Sequence, residues 1–514
     1  MLNRRDLLRN TGIAIAIFTG LAPGISKAAT AALRVRRNIA GMTLNDPDLA
    51  AWRDFVSVMR ARPQTLVNSW TGFANIHGDL HRFNACQHGN WYFLPWHRAF
   101  IEMYERAVAD ITGHKNFAMP YWDWTSQRRL PAAFRTVRHR GKPNPLYSPG
   151  PAEDQNMQRA RRPRITDDVV GPKVMGSILN SKSPTEFGGS APIDFSVTPP
   201  LVQDSLDPVW LTRAGHASTF EAVPHNGIHD AVGGFMGNTP AARDPLFMLH
   251  HSNIDRVWEA WLKRGGRHYG NRLWRNMTFP DHFARQNGKR YSRRVAHLLS
   301  ASDLGYRYQD LSVSGLTASA FTPAAPERQA RLDHLLDPGS RTQRRTLQRI
   351  ERFSSNGALQ SAPLRVIAPD SGPRSPTMNQ GDVMLVLRGI HGGAHVDGVR
   401  IFLNLPDADQ HTAETDPHFV AHISLFGSAA GAVAGPGHDP RPTLKHDAPA
   451  GHGGHGSSGY SVMLDITPTV RGLQALGLLR GDEVTVSLVP SAADDVPLSA
   501  VGEVYLETLS IGVL

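Results

Sequence analysis

The sequence predicts two structural classes in one chain: a mainly α central domain arranged as a four-helix bundle, and a C-terminal all-β domain of sandwich type. Three observations lead there. From about residue 45 to 310, apolar residues recur at helical spacing among many Trp and His. From about 311 to 362 the chain is polar, Arg-rich and interrupted by Pro and Gly, which reads as a linker. From 363 to 514, short alternating runs replace the helical period.

Composition agrees with a large folded chain. The 514 residues exceed one ordinary domain, and 40% hydrophobic against 19% charged residues leaves ample material for a core. No apolar run approaches the roughly 20 residues of a membrane-spanning helix. The formal net charge of +10 raises nucleic acid as a partner. However, the arginines are scattered, or gathered irregularly as at Arg159, Arg161, Arg162 and Arg164, and no nucleic-acid module is recognisable. A basic surface without nucleic acid is the reading.

At the N-terminus, Arg4 and Arg5 precede Asp6-Leu7-Leu8, and a mildly apolar stretch runs from Ile13 to Leu21. Ser26-Lys27-Ala28 loosely fits a cleavage site. Residues 1–28 therefore read as a twin-arginine signal peptide, which sends a folded protein to the periplasm or beyond.

Within the central domain, Ile101, Tyr104, Val108 and Ile111 mark a helix that starts just after Pro95 and places His97 in its first turn. His77, His81 and His88 lie shortly before it. Further on, His225 and His229 are four residues apart, which on a helix puts both rings on one face. His250 and His251 then lead into Ile254, Val257, Trp258, Trp261 and Leu262, an amphipathic pattern. Taken singly, the first cluster also fits scattered structural histidines, and the i, i+4 pair fits a surface or capping pair. Taken together, two sets of three or more histidines tied to helices suit a bundle that aims ligands inward. Neutral imidazole is a good ligand for copper, and three rings leave coordination positions open.

In the C-terminal domain, Val383–Leu387, Arg400–Asn404, Val484–Val489 and Val504–Leu506 read as strands. The Gly/His segment from Gly427 to Gly459 reads as a flexible loop. Its His438, His446, His452 and His455 fit either extra copper binding or a solvated loop. Inside the linker, Gln343–Arg352 reads as an exposed helix. Cysteine occurs once, at Cys86, so no intrachain disulfide forms.

These residues resemble the type 3 dinuclear copper proteins: tyrosinases, polyphenol oxidases, catechol oxidases and haemocyanins. The first signature is His88-x4-Phe93-Leu94-Pro95-Trp96-His97-Arg98 with Glu105 following. The second is Asp244-Pro245-x-Phe247-Met248-x-x-His251-x3-Asp255. Pro120–Trp124 resembles the family's segment between them, and Tyr306-Arg307-Tyr308 its closing tyrosine motif. The resemblance covers residues 65 to 310 well and the β domain more weakly.

The resemblance implies two copper ions and O2 as co-substrate. One copper would be held by His77, His88 and His97, the other by His225, His229 and His251. His77 is preferred to His81 because Ile76-His77-Gly78 matches the family's first-ligand context. His251 is preferred to His250 because three residues then separate it from Asp255, which would orient a ligand imidazole. Cys86, two residues before His88, implies a Cys86–His88 thioether, against the alternative of a small buried thiol. Glu221 and Asn226 resemble a pair that holds a water able to take a phenolic proton. A helix cap and a backbone hydrogen bond are the alternatives there.

The implied activity is a tyrosinase: ortho-hydroxylation of monophenols and oxidation of o-diphenols to o-quinones. The alternatives are a catechol oxidase without monophenolase activity, or a haemocyanin-like O2-binding protein. The C-terminal domain is expected to lie over the copper site as a lid that keeps the enzyme latent. The natural phenol, any copper-loading chaperone and the oligomeric state are open at this level.

Overall fold

The computed structural model describes residues 32–80, 83–150, 165–192, 215–317, 325–337, 352–353, 359–361, 363–366, 376–393, 395–426, 460–492 and 496–514. The twin-arginine segment, the Arg159–Arg164 stretch, His81, residues 343–351 and the loop histidines His438, His446, His452 and His455 lie outside these residues.

The helical part is built on α3 (Phe93–Thr112) and α5 (Leu246–Lys263), which pack against each other, with α1 (Pro47–Ala61) against α3. Asp46 caps α1 by accepting from Asp48 N, with Pro47 in the first turn, a favourable start. Gly113, at φ +74°, ends α3 in the left-handed conformation glycine tolerates. Short α2 (Trp70–Ala74) and α4 (Asn226–Val232) complete the set around the histidines. Around the histidines stand two long central helices and two short ones.

Two expected boundaries shift. Strand β1 (Arg34–Arg36) pairs in parallel with β2 (Tyr306–Tyr308), so the helical unit starts before residue 45. The reason is electrostatic. Arg36 is fully buried and bonds Glu105 of α3 at 2.9 Å and Asp255 of α5 at 2.9 Å. Part of the expected linker is also packed. Helix α6 (Pro326–Leu336) buries Leu332, Leu335 and Leu336 against Met384, Val386, Met463 and Leu514 of the β domain.

Among the described residues the C-terminal part has two larger antiparallel sheets, besides a two-stranded one that pairs Glu483–Val484 with Leu364–Arg365. In one, β3 (Val383–Gly392) lies between β6 (Tyr460–Asp465) and β8 (Thr508–Val513), and its end also pairs with Val504–Tyr505. In the other, β5 (Phe419–Ser424), β4 (Gly398–Leu403) and β7 (Val486–Ser491) are followed by the short strands Leu359–Gln360 and Arg352–Phe353. Alternate residues of both sheets, such as Val383, Leu385 and Leu387 with Val399, Ile401 and Leu403, share one apolar core, as the period-2 pattern requires. Leu473, on helix α7 (Thr467–Ala475), joins this core. Ala217, Ala222 and Val223 of the helical part enter this core, and Ala217 exchanges backbone hydrogen bonds with Ser461 and Met463. The two parts are therefore joined through apolar packing and backbone pairing.

Candidate metal centre

The first three histidines reach one place by different means. His77 follows α2, its N–H donating to Ala74 O at 2.9 Å. Asn84 N donates to His77 O and Ala85 N to Ile76 O, so the chain doubles back and returns Cys86 and His88 beside His77. Neither His77 nor His88 is helical. Gly78 and Gly89 interrupt the segment, and Gly89 sits at φ +64°, where a side chain would be strained. His97 alone of this group stands on a helix, in the second turn of α3, because the helix starts at Phe93, before Pro95.

The second three are helix-borne. Glu221–His225 forms a π-helical turn that contains Pro224 and runs directly into α4 with His229. Proline lacks the donor a regular turn needs, and such bulges re-aim the residues around them. His251 comes from the second turn of α5.

The rings converge. Ring centroids are 5.3 Å apart for His77–His88, 5.7 Å for His77–His97 and 5.1 Å for His88–His97. They are 4.7 Å apart for His225–His229, 4.9 Å for His225–His251 and 5.6 Å for His229–His251. The trios face each other: His97 stacks on His251 at 4.3 Å, and His88 lies 5.6 Å from His225. His250 also reaches the second group, its ring 4.9 Å from His229. Its adjacent His251 is the one that meets the first trio.

The donor atoms fit a pair of metal ions. His97 Nδ1 lies 2.8 Å from Phe93 O and His229 Nδ1 2.7 Å from Met236 O, so these nitrogens donate and the Nε2 lone pairs point inward. The Nε2 atoms of His77, His88, His97 and His225 are buried with no hydrogen-bond partner. Burial lowers every one of these rings, His88 to about 3, which keeps them neutral and able to ligate. Buried nitrogens left unpaired in this number are costly unless an ion takes them.

Cys86 is buried, with Sγ 3.4 Å from His88 Nδ1. Glu221 Oε1 accepts from Gly89 N at 2.7 Å, while Oε2 is buried without a partner. Burial pushes the Glu221 carboxyl up to about 8, against the pull of the Gly89 N–H. The Asn226 amide is engaged differently from the expectation. Its Oδ1 lies 2.7 Å from His225 Nδ1, and its Nδ2 donates to Phe426 O and Tyr460 Oη, each at 3.1 Å, and to Ser424 O at 3.4 Å. These three partners belong to the β domain.

Asp255 does not orient an imidazole. It accepts from Arg98 at 2.5 Å, Arg36 at 2.9 Å, and the hydroxyls of Tyr306 at 2.7 Å and Tyr308 at 2.5 Å. Burial alone would raise its carboxyl, but Arg98 and Arg36 hold it below the usual range. Since Arg98 follows His97 on α3, this network clamps the two ligand-bearing helices together.

Phe426 was not foreseen. Its ring stacks on His229 at 4.1 Å and 10°, and lies about equally far from His88 and His225, at 6.2 and 6.1 Å. It stands two residues beyond β5, next to the Gly/His segment, and no local pattern marks it.

Comparison with known proteins agrees with this architecture. Residues 67–264 match the family model for the common central domain of tyrosinase. The tyrosinase HcTyr1 of Hahella sp. (strain CCB-MM4) is 26% identical over 437 residues, covering 80% of this chain and 81% of that protein. The chloroplastic polyphenol oxidase of Vitis vinifera is 28% identical over 302 residues, covering 52% of this chain but only 46% of that protein. Among solved structures, a latent apple tyrosinase superposes with a TM-score of 0.61 at 20% identity, covering 94% of this chain and 97% of that one. A recombinantly expressed latent aurone synthase (polyphenol oxidase) gives 0.59 at 20% identity, covering 93% and 90%. At such identity these structures establish the shared fold, with both domains included.

Proposed function

Because the chain belongs to the tyrosinase family, we propose that it is a copper-dependent phenol oxidase, with one copper on His77, His88 and His97 and the other on His225, His229 and His251. The observation that carries this reading is the pair of facing trios, with the Nε2 atoms of His77, His88, His97 and His225 buried and unpaired and those of His229 and His251 turned toward each other at 3.4 Å. Copper held by these residues would supply the redox chemistry by which O2 oxidises a phenol. Its finer activity is read as tyrosinase: ortho-hydroxylation of monophenols and oxidation of o-diphenols to o-quinones.

The residues around the trios handle orientation and protons. Free Glu221 Oε2 accepts the phenolic proton, and a carboxyl raised by burial is a better match for a phenol of reference pKa about 10 than an ordinary one. Asn226 Oδ1 fixes the His225 ring. Once its Nδ2 is released from the β domain, Asn226 can share a water with Glu221. The Cys86–His88 contact supports a thioether that locks the His88 ring where no helix does. Phe426 over His229 supports the lid reading: the β domain fills the space a substrate ring would take, leaving the enzyme latent. The same coverage favours, as second reading, an O2-binding protein closed to phenols.

Among the described residues no helix is long and apolar enough to cross a membrane. Residues 1–28 support export by the twin-arginine route.

Copper content and oxygen-dependent turnover test the proposal, before and after limited proteolysis within residues 311–362. Two coppers per chain, with quinone formed from both tyrosine and DOPA after clipping, are expected. DOPA turnover alone makes it a catechol oxidase. Copper without turnover in the clipped protein removes the enzyme reading.

A further inference from the structure

Outside the paired trios, where the helical domain meets the second sheet, Asp168 faces Glu414 and His422. One carboxylate oxygen of each acid and a ring nitrogen of His422 all lie within 4.8 Å of one another. His422 Nδ1 is 3.9 Å from Asp168 Oδ2. The Asp168 side chain is only 6% exposed, and its buried Oδ1 has no hydrogen-bond partner.

Two adjacent carboxylates, one of them buried, repel unless a proton or a cation joins them, and here burial and the neighbouring Asp168 push the Glu414 carboxyl up to about 7, so a cation at the pair competes with a shared proton. Arg400 meets this only partly. Its Nε is 3.7 Å from Glu414 Oε1, while its terminal nitrogens bond the carbonyl oxygens of Asp409, Gln410 and Thr412. Among the described residues no hydrogen-bond donor reaches Asp168 Oδ1. The imidazole is also held in ligand fashion. Ser491 Oγ lies 2.8 Å from His422 Nε2, so the ring is anchored on one side and presents Nδ1 to the acids. Gly398 makes room for that anchor: a Cβ there would come within 2.5 Å of His422 Nε2 and 2.6 Å of Ser491 Oγ.

We propose that Asp168, Glu414 and His422 bind a divalent transition-metal ion that cross-links the helical and β domains. Two carboxylates and one imidazole are a set that zinc accepts, with water completing the shell. Asp168 belongs to the helical domain, Glu414 and His422 to the β domain. His422 lies on β5, and the chain leaves β5 toward Phe426. The ion therefore pins the strand whose end places a ring over the histidines.

The test uses the full-length, copper-loaded protein dialysed against excess Zn2+, with zinc and copper counted by elemental mass spectrometry. Asp168→Asn and Glu414→Gln are each expected to carry one zinc ion fewer than the parent chain, with copper unchanged. Zinc should raise the thermal midpoint of the parent more than that of either variant. Zinc taken up by the histidines between Gly427 and Gly459 is common to all three chains and cancels. Glu414 is exposed, so its variant keeps the test alive if Asp168→Asn does not fold. Equal zinc content in parent and Glu414→Gln overturns the proposal, as does a parent chain that binds no zinc.

Discussion

The two histidine trios occupy one buried space but are built by opposite means. His225, His229 and His251 all hang on helical turns, the first two consecutive and the third on α5, where the backbone itself fixes the ring directions. His77 and His88 come from a doubled-back segment without helix, and only His97 has a helical base. Where no backbone ladder orients a ligand, side-chain contacts must. The Cys86 sulfur beside His88 and the ring of Phe83, 5.1 Å from His88, take that part. Helical ligands come preorganised with the fold, while loop ligands need a second device.

Removing a ligand from the helical trio is the harshest test of that contrast. His251→Ala should lose one copper and cut oxidation beyond the roughly 10–100-fold commanded by a group behind a ligand. His250→Ala should keep both coppers, and the reverse outcome would reassign the ligand.

Acid comes next. Burial lowers His88, His216 and His282 to about 3, against about 6.5 in an unfolded chain. Between those values the unfolded state binds more protons. Stability of the metal-free protein is therefore full above about pH 6.5 and falls toward pH 3, by about 1.4 kcal/mol per ring and pH unit. Denaturant midpoints across pH 7 to 4 measure this, and a flat profile would show the rings to be solvated.

Asp255→Ala cuts the tie between the two helices and leaves Arg36 and Arg98 with one anion fewer. A loss of about 3–5 kcal/mol in unfolding free energy is expected. A loss below about 1 kcal/mol, the scale of an exposed pair, would mean the network is hydrated.

Phe426→Ala removes the ring over His229. Stacked rings contribute about 0.5–1.5 kcal/mol, so the unclipped chain should gain roughly two- to tenfold in DOPA oxidation. Unchanged activity would place the block elsewhere in the β domain.

The smallest effect belongs to Cys86→Ser, a few-fold loss confined to the copper on the first trio. A thioether would also leave the parent peptide spanning Cys86 and His88 lighter by two hydrogens than its sequence requires. An unmodified mass would leave orientation of His88 to packing alone.

How much of this was legible follows the same division. Ile101, Tyr104 and Val108, like Ile254, Val257 and Trp261, carry a local period, and α3 and α5 lie where that period places them. The strands around Val383, Arg400 and Val486 were legible for the same reason. Helix α6, inside the expected linker, was missed because its polar, Arg-rich surroundings mask three buried leucines. Asp255 was misassigned because helical spacing relates it to His251, whereas its partners Arg36 and Tyr306 come from β1 and β2.

By itself the sequence determined the classes of the two domains, the histidines available and the family they resemble, since these depend on residues near one another along the chain. Only the tertiary structure decided that Phe426 covers His229, that Asn226 is held from the β domain, and that Arg36 closes the network on Asp255. Those contacts join positions some 200 residues apart, and no local period can encode which distant side chain packing will bring into a buried space.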